Sequence, residues 1–134
     1  MNILRHLIFI ISFTSFLSVA QEKPYPNRPI NWILPMSAGG TSDIFARTIQ
    51  PFMTNYLGQT MVIENKPGAG GNLGAAEVAK SNPDGYTLLM ASPPLSISPA
   101  LYKNLPYNPS NIEPIAIFGQ LPNVLLVNPD SGIN

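Results

Sequence analysis

The 134-residue sequence contains no cysteine, a single histidine and few charged residues. Without cysteine, disulfide bonds, thiolate nucleophiles and cysteine-ligated metal sites are excluded. The histidine, His6, lies in an apolar N-terminal segment, so a Ser-His-Asp triad cannot form in the rest of the chain. Charged residues make up 10%, with 7 basic and 7 acidic side chains, which argues against a nucleic-acid-binding surface. We expect no nucleic-acid partner, no metal and no cofactor.

The first twenty residues have the pattern of a secretory signal. A basic residue, Arg5, precedes an apolar run over residues 7–19, and small residues lead up to Ala20. The run is shorter than the about 20 apolar residues that span a bilayer, and Ser and Thr interrupt it. The sequence therefore predicts a signal peptide over residues 1–20, cleaved after Ala20, and a mature chain of residues 21–134 outside the cytoplasm.

Strand and helix patterns alternate after the signal. Residues 30–34, "TMVIEN" (60–65) and "YTLLMA" (86–91) are β-branched or apolar and bounded by Pro, Gly and Asn. Between them, apolar residues at helical spacing follow Asp43 as far as Leu57, where Gly58 ends them, and "NLGAAEVAK" starts near Gly71. This order predicts an α/β domain with a mostly parallel sheet and flanking helices.

The rest of the chain gives weaker signals. Residues 92–114 are rich in proline and favour a loop, with one short helical turn at residues 99–102. "IAIFGQ" (115–120) and "NVLLVNP" (123–129) favour two more strands, and we expect an exposed apolar patch over residues 115–127.

Two glycine loops, at residues 38–40 and 68–74, follow successive strands, and a parallel sheet places both at its carboxyl edge. Leu73 replaces the third glycine of a dinucleotide fingerprint, and neither loop ends in Gly-Lys-Ser/Thr, so nucleotides are disfavoured. Backbone N–H groups, the hydroxyls of Ser37, Thr41 and Ser42 and the amide of Asn72 suit a carboxylate instead. The plainer interpretation is that these glycines only permit tight turns.

Two carboxylates lie close to these loops. Asp43 is a candidate helix cap and equally a candidate ligand-loop residue, because a capping carboxylate also fixes the loop that meets a ligand. Thr41 and Ser42 offer further cap oxygens. Glu64, at the end of the second predicted strand, is expected to be structural.

Four segments carry a family resemblance: "YPNRPINWILPMSAGGTSDIFAR", "LGQTMVIENKPGAGGNLGAAEVAKSNPDGYTLLMAS", "NPSNIEPIAIFGQLPNVLLVNP" and "SPALYKNLPY". They resemble the Bug-type receptors, the extracytoplasmic solute-binding proteins of tripartite tricarboxylate transporters. The resemblance implies a two-lobed periplasmic-binding-protein fold whose cleft captures small carboxylates, partly through bridging waters. It also implies membrane permease subunits as partners, a monomeric receptor and no catalysis.

By that resemblance, ligand loops correspond to residues 35–43, 67–74 and 91–94. The candidate ligand-binding residues are Met36, Ser37, Ala38, Gly39, Gly40, Thr41, Ser42, Asp43, Gly70, Gly71, Asn72 and Ser92. Ser37 stands where a proline is common and Met36 where a phenylalanine is common, which bears on the identity of the ligand rather than on its class.

Such a receptor is roughly twice as long, so residues 21–134 are expected to be the first lobe, truncated before the second. Two other functions remain open at this point. The chain could serve a ligand-sensing module that signals to a membrane partner, because sensing and uptake use the same cleft. It could also belong to a soluble α/β enzyme acting on an acid, although it lacks paired catalytic groups.

Overall fold

The computed structural model describes residues 24–120 and 126–132. The predicted signal peptide therefore lies outside the described residues. Strands and helices alternate from residue 30 to residue 101, which confirms the predicted α/β class. The elements are β1 (Ile30–Leu34), α1 (Thr41–Leu57), β2 (Met61–Asn65), α2 (Asn72–Lys80), β3 (Thr87–Leu89) and α3 (Pro93–Leu101), with short 3₁₀ turns at Ala69–Gly71, Pro109–Asn111 and Pro129–Ser131.

The three strands form a parallel sheet in the order β2-β1-β3. Trp32, in the middle of β1, lies opposite Ile63 of β2 and Leu88 of β3. Since all three strands run in the same direction, the connections that follow them meet at one edge, here called the carboxyl edge. We name these connections loop 1 (residues 35–40), loop 2 (residues 66–71) and loop 3 (residues 90–92).

Helices cover both faces of the sheet because alternate strand residues point to opposite sides. On one face α1 packs over Trp32 and Leu88, and on the other α2 packs near Leu89. Burying each large apolar side chain contributes about 1.5–3 kcal/mol. The first core contains Ile30, Trp32, Leu34, Ala46 and Met61, and the second contains Ala75, Ala76, Ala79 and Tyr107.

Helix α1 begins two residues earlier than Asp43. Its N-cap is Gly40, which makes no side-chain cap hydrogen bond, so the predicted capping by Thr41, Ser42 or Asp43 is wrong. The helix continues through Pro51 and ends at Leu57, and its C-cap Gly58 has a φ of 67°, the left-handed conformation that glycine adopts readily.

Helix α2 is built from small residues, which lets it lie close to the end of β1. At Gly74 an added Cβ would lie 3.1 Å from both the Lys66 carbonyl oxygen and the Pro35 Cβ. The small side chains of this helix are therefore a packing requirement at this crossing.

The predicted loop over residues 92–114 is wrong in its first part, where α3 spans Pro93–Leu101. Two prolines occupy the first turn, where a missing N–H costs no intrahelical hydrogen bond. Leu95 packs against the second core, and Ser98 is buried. Three prolines in nine residues favoured a loop, and tertiary packing outweighed that preference.

The predicted strand over residues 115–120 is also wrong. This stretch has no regular secondary structure, because no described strand pairs with it. Part of the other predicted strand, residues 121–125, lies outside the described residues, and Pro129–Ser131 is a 3₁₀ turn. The expected apolar exposure is present in the described part: Ile115, Ile117, Leu126 and Val127 are exposed.

At the opposite, amino edge of the sheet, the stretch before β1 is fastened to the turn before β3. The Tyr25 hydroxyl donates to the Gly85 carbonyl oxygen (2.9 Å), and the Asn27 N–H donates to the Tyr86 hydroxyl (2.9 Å). The Arg28 guanidinium lies 4.1 Å from the centre of the Tyr86 ring, a stabilising cation–π distance. We call this group the amino-edge clasp.

Within residues 24–120 and 126–132, no helix combines the length and the apolar character needed to cross a bilayer.

Candidate functional site

Loop 1 and the first turn of α1 surround an open hollow of about 580 Å³, lined by residues 36–42. Five of these residues are exposed, and Met36 and Ser42 are half-buried. Gly39 has a φ of 81°, and a Cβ added there would meet no atom within 4 Å. The hollow is thus walled by backbone, hydroxyls, small side chains and Met36, and none of its lining residues is charged.

Asp43 lies beneath this hollow and not in it, since the residue is only 3% exposed. Its Oδ2 accepts a hydrogen bond from the Gly39 N–H (2.9 Å). The Arg47 Nε–H is shared between both carboxylate oxygens at 3.0 Å, and Asn65 Nδ2 donates to Oδ1 at 3.0 Å. Of its two predicted roles, the contacts of Asp43 fit that of fixing the loop.

Hydrogen bonding determines the ionisation of Asp43. The Arg47 side chain, then the Gly39 N–H and then the Asn65 amide hold the pKa of this carboxyl well below its ordinary value, and desolvation opposes them more weakly. The same ion pair raises the pKa of Arg47. The carboxylate is therefore ionised at neutral pH, and a guanidinium offsets its charge.

Loops 2 and 3 form a second feature, a narrow crevice between the ends of β1, β2 and β3. Gly70, Gly71, Asn72 and Ser92 line it together with Pro35, and it encloses about 10 Å³, enough for about one water. Gly70 and Gly71 have φ values of 65° and 92°, so both need the left-handed conformation.

Asn72 opens α2 and is 3% exposed. Its Oδ1 accepts a hydrogen bond from the Tyr107 hydroxyl at 3.1 Å. Burial raises the pKa of Tyr107, which keeps the phenol protonated as a donor. The Asn72 amide is therefore oriented from below by the second core.

The structure thus divides the predicted site residues into two groups at the carboxyl edge. Residues 36–42 line the hollow, and Gly70, Gly71, Asn72 and Ser92 line the crevice, with Pro35 connecting the two. Asp43 belongs to neither lining. Glu64 pairs with Lys66 at 3.2 Å, as expected for a structural carboxylate.

Sequence reasoning missed the residues that support these loops: Arg47, Asn65 and Tyr107. The four-residue spacing between Asp43 and Arg47 was a usable signal, because such pairs face each other on a helix. Asn65 and Tyr107 gave no local signal, since their partners are distant in the chain.

The described residues contain no group of three or more His, Asp or Glu side chains placed to hold a metal ion. A backbone-walled hollow at the carboxyl edge of a parallel sheet is typical of a ligand-binding lobe.

Comparison with known proteins identifies the family. The sequence model of one protein family, the tripartite tricarboxylate transporter family receptor, matches residues 45–134 of this chain. The chain therefore belongs to this family of solute-binding receptors, which is a family of binding proteins and not of enzymes.

Among curated relatives, the Bordetella pertussis protein BugT is 38% identical over 135 residues. That alignment covers 96% of this chain and 41% of BugT. The chain spans about two-fifths of the length of the first curated relatives that it matches.

Solved structures agree with this assignment. The periplasmic binding protein BugD is 47% identical, with a TM-score of 0.60 over 63% of this chain and 28% of that one. A Rhodopseudomonas palustris protein solved with adipate is 36% identical, with a TM-score of 0.60 over 64% of this chain and 29% of that one. MatC from Rhodopseudomonas palustris, with bound malate, is 40% identical, with a TM-score of 0.59 over 63% and 29% of the two chains.

Proposed function

We propose that residues 21–134 supply the first lobe of an extracytoplasmic receptor that captures a small di- or tricarboxylate and delivers it to the permease subunits of a tripartite tricarboxylate transporter. The observation that carries the proposal is the uncharged hollow at the start of α1, in a family whose solved members include proteins bound to adipate and malate. The ligand-binding residues are proposed to be residues 36–42 of the hollow and Gly70, Gly71, Asn72 and Ser92 of the crevice, with Asp43 beneath them.

The chemistry of the hollow suits an anion with several acceptor oxygens. The first N–H groups of α1 have no partner within the helix, and its dipole is positive at this end. Ser37, Thr41 and Ser42 add hydroxyl donors around the same space. A hydrogen bond to a charged group contributes about 1.5–3 kcal/mol, so a few such donors hold a carboxylate without a lysine or arginine.

Two lobes must enclose the ligand in the architecture that the resemblance implies, so binding is best measured in a receptor with both. We would replace the matching part of MatC with residues 30–101 of this chain and titrate the chimera with malate, adipate and citrate by calorimetry. Binding of at least one acid is expected. Heat from sugars or nucleotides, with none from any acid, would contradict the proposal.

A glycine substitution assigns that binding to the hollow. Gly39→Val places a branched side chain into open space at φ 81°, so it should block the approach of the carboxylate. Gly58→Val is the matched control within the grafted segment, because Gly58 also has a positive φ (67°) and open space around an added Cβ, but lies at the other end of α1. Undiminished binding in the Gly39 variant would mean that loop 1 is only a turn and does not contact the ligand.

The location and partners are part of the proposal. The signal pattern of residues 1–20 supports export and cleavage after Ala20, after which the receptor would work as a periplasmic monomer. Mass spectrometry of the exported protein tests the cleavage site. Large and small permease genes beside the coding sequence would favour uptake over signalling to a membrane sensor.

A further inference from the structure

We propose that Asn65 and Arg47 are positioning residues for the carboxylate site, holding Asp43 and loop 1 in the shape that receives the ligand. This inference rests on the proposed function, and it assigns a role to two residues that lie outside both linings.

Asn65 connects the end of β2 to loop 1 and α1 through both N–H groups and the oxygen of its side-chain amide. Its Nδ2 donates to the Met36 carbonyl oxygen (3.2 Å) and to Asp43 Oδ1 (3.0 Å). Its Oδ1 accepts from Arg47 Nη2 (3.0 Å). Because Asn65 is the last residue of β2, the same side chain sets loop 1 relative to the start of loop 2.

Arg47 completes the group from α1. It reaches Asp43 through Nε and Asn65 through Nη2, so one planar guanidinium orients both side chains. Asp43 in turn accepts the Gly39 N–H, which belongs to the wall of the hollow. A chain of short contacts thus runs from β2 and α1 to the backbone of loop 1.

Arg47 also has an electrostatic task. A carboxylate buried beneath an anion site repels an incoming anion unless a nearby positive charge compensates it. Arg47 is the charged side chain that contacts Asp43, at 3.0 Å. Removing Arg47 therefore both loosens loop 1 and exposes the ligand to the charge of Asp43.

The first test measures loop 1 directly in the full chain. Amide hydrogen exchange of Gly39 would be followed in the unaltered chain and in the variants Asn65→Ala, Arg47→Gln and Arg28→Gln. Arg28, a member of the amino-edge clasp, is a matched control because it also pairs with a carboxylate, that of Asp84 at 2.8 Å, but at the opposite edge of the sheet. We expect Gly39 to exchange about tenfold faster or more in the Asn65 and Arg47 variants, and unchanged in the control. Unchanged exchange in both variants would overturn the proposal.

The second test measures binding of malate and adipate by the Asn65→Ala and Arg47→Gln variants, made in the chimera described above. We expect the affinity to fall about tenfold or more in Arg47→Gln and to recover in part when Asp43→Asn is added, because the repulsive charge is then removed. A purely structural role predicts no recovery. Equal affinity in all variants, despite faster Gly39 exchange, would also overturn the proposal.

Two outcomes keep this inference separate from the proposed function. If the unaltered chimera binds none of malate, adipate and citrate, the proposed function fails, and Gly39 exchange still decides whether the two residues position loop 1. If Asn65→Ala does not fold, Arg47→Lys replaces it in both tests. This variant keeps the positive charge beside Asp43 but loses the planar guanidinium that contacts both Asp43 and Asn65. Gly39 must then exchange faster, while the ligand is still shielded from the charge of Asp43.

Discussion

Loop 1 and loop 2 lie side by side at one sheet edge, yet they keep their shapes by different means. Loop 1 encloses open space, and polar side chains hold it through Asp43, Arg47 and Asn65. Loop 2 is held mainly by close packing, with the left-handed Gly71 against Pro35. Lys66 at its start also pairs with Glu64 and Glu77, but these ion pairs are exposed and contribute little. A change in pH should therefore alter the shape of loop 1 most, whereas a change in side-chain volume should destabilise loop 2 most.

The largest effect is expected where α2 crosses the end of β1. Gly74→Val forces atoms into a space where even a Cβ lies 3.1 Å from the Pro35 side chain and the Lys66 backbone. Such overpacking destabilises by about 1–3 kcal/mol or more. Urea unfolding measures it, with Gly119→Val as the control. A loss below that of the control would mean that α2 can move away from β1.

A matched pair of alanine substitutions compares the two loops directly. Gly71→Ala and Gly39→Ala both place a side chain at positive φ, 92° and 81°, which costs about 1–2 kcal/mol each. Only Gly71 adds crowding, since its Cβ would lie 3.4 Å from Pro35. The Gly71 variant should be the less stable in urea. An equal loss in the free energy of unfolding of the two variants would show that Pro35 can move away from the added methyl group without an energetic cost.

Acid should loosen loop 1 before loop 2. The folded pKa of Asp43 lies below its unfolded value of about 3.9. Its contribution to stability is therefore complete above about pH 4 and is lost as the pH falls further toward the folded pKa. The protection factor of the Gly39 amide, which is its exchange rate relative to that of an unfolded chain at the same pH, measures this loosening between pH 5 and 2. The variant Asp43→Asn lacks this acid response, and a response identical to that of the unaltered chain would assign it to another carboxyl.

The smallest effect is expected at the polar contact beneath loop 2. Tyr107→Phe removes the donor to Asn72 and costs about 1 kcal/mol. The folded pKa of Tyr107 is raised, so the stability it contributes is present below about pH 10 and lost as the pH rises through the folded value. Urea unfolding at pH 7 and 10.5 measures both. An alkaline loss of equal size in the phenylalanine variant would exclude Tyr107 as its source.

Elements with a strong local pattern were predictable from the sequence. The apolar runs of β1 and β2 and the helical spacing of α1 gave the parallel sheet and, with it, the carboxyl edge. Helix α3 was missed because its prolines favour a loop when considered one by one. Residues 115–120 were overpredicted because a strand needs a partner edge, and apolar content does not supply one.

The lining of the candidate site was predictable for a related reason. Glycine loops after strands are local features, and parallel strands necessarily bring them to one edge. The supporting contacts were not predictable, because Asn65 lies 22 residues from Asp43, and Tyr107 lies 35 residues from Asn72. Only the folded sheet brings these partners together.

The amino-edge clasp makes the lobe suitable for oriented immobilisation. It fixes Tyr25 and Arg28 at the edge of the sheet opposite the hollow, and the five residues of β1 separate the two edges by about 16 Å. A biosensor chip coupled through a tag just before Pro24 would therefore hold the lobe with loop 1 facing the flowing solution.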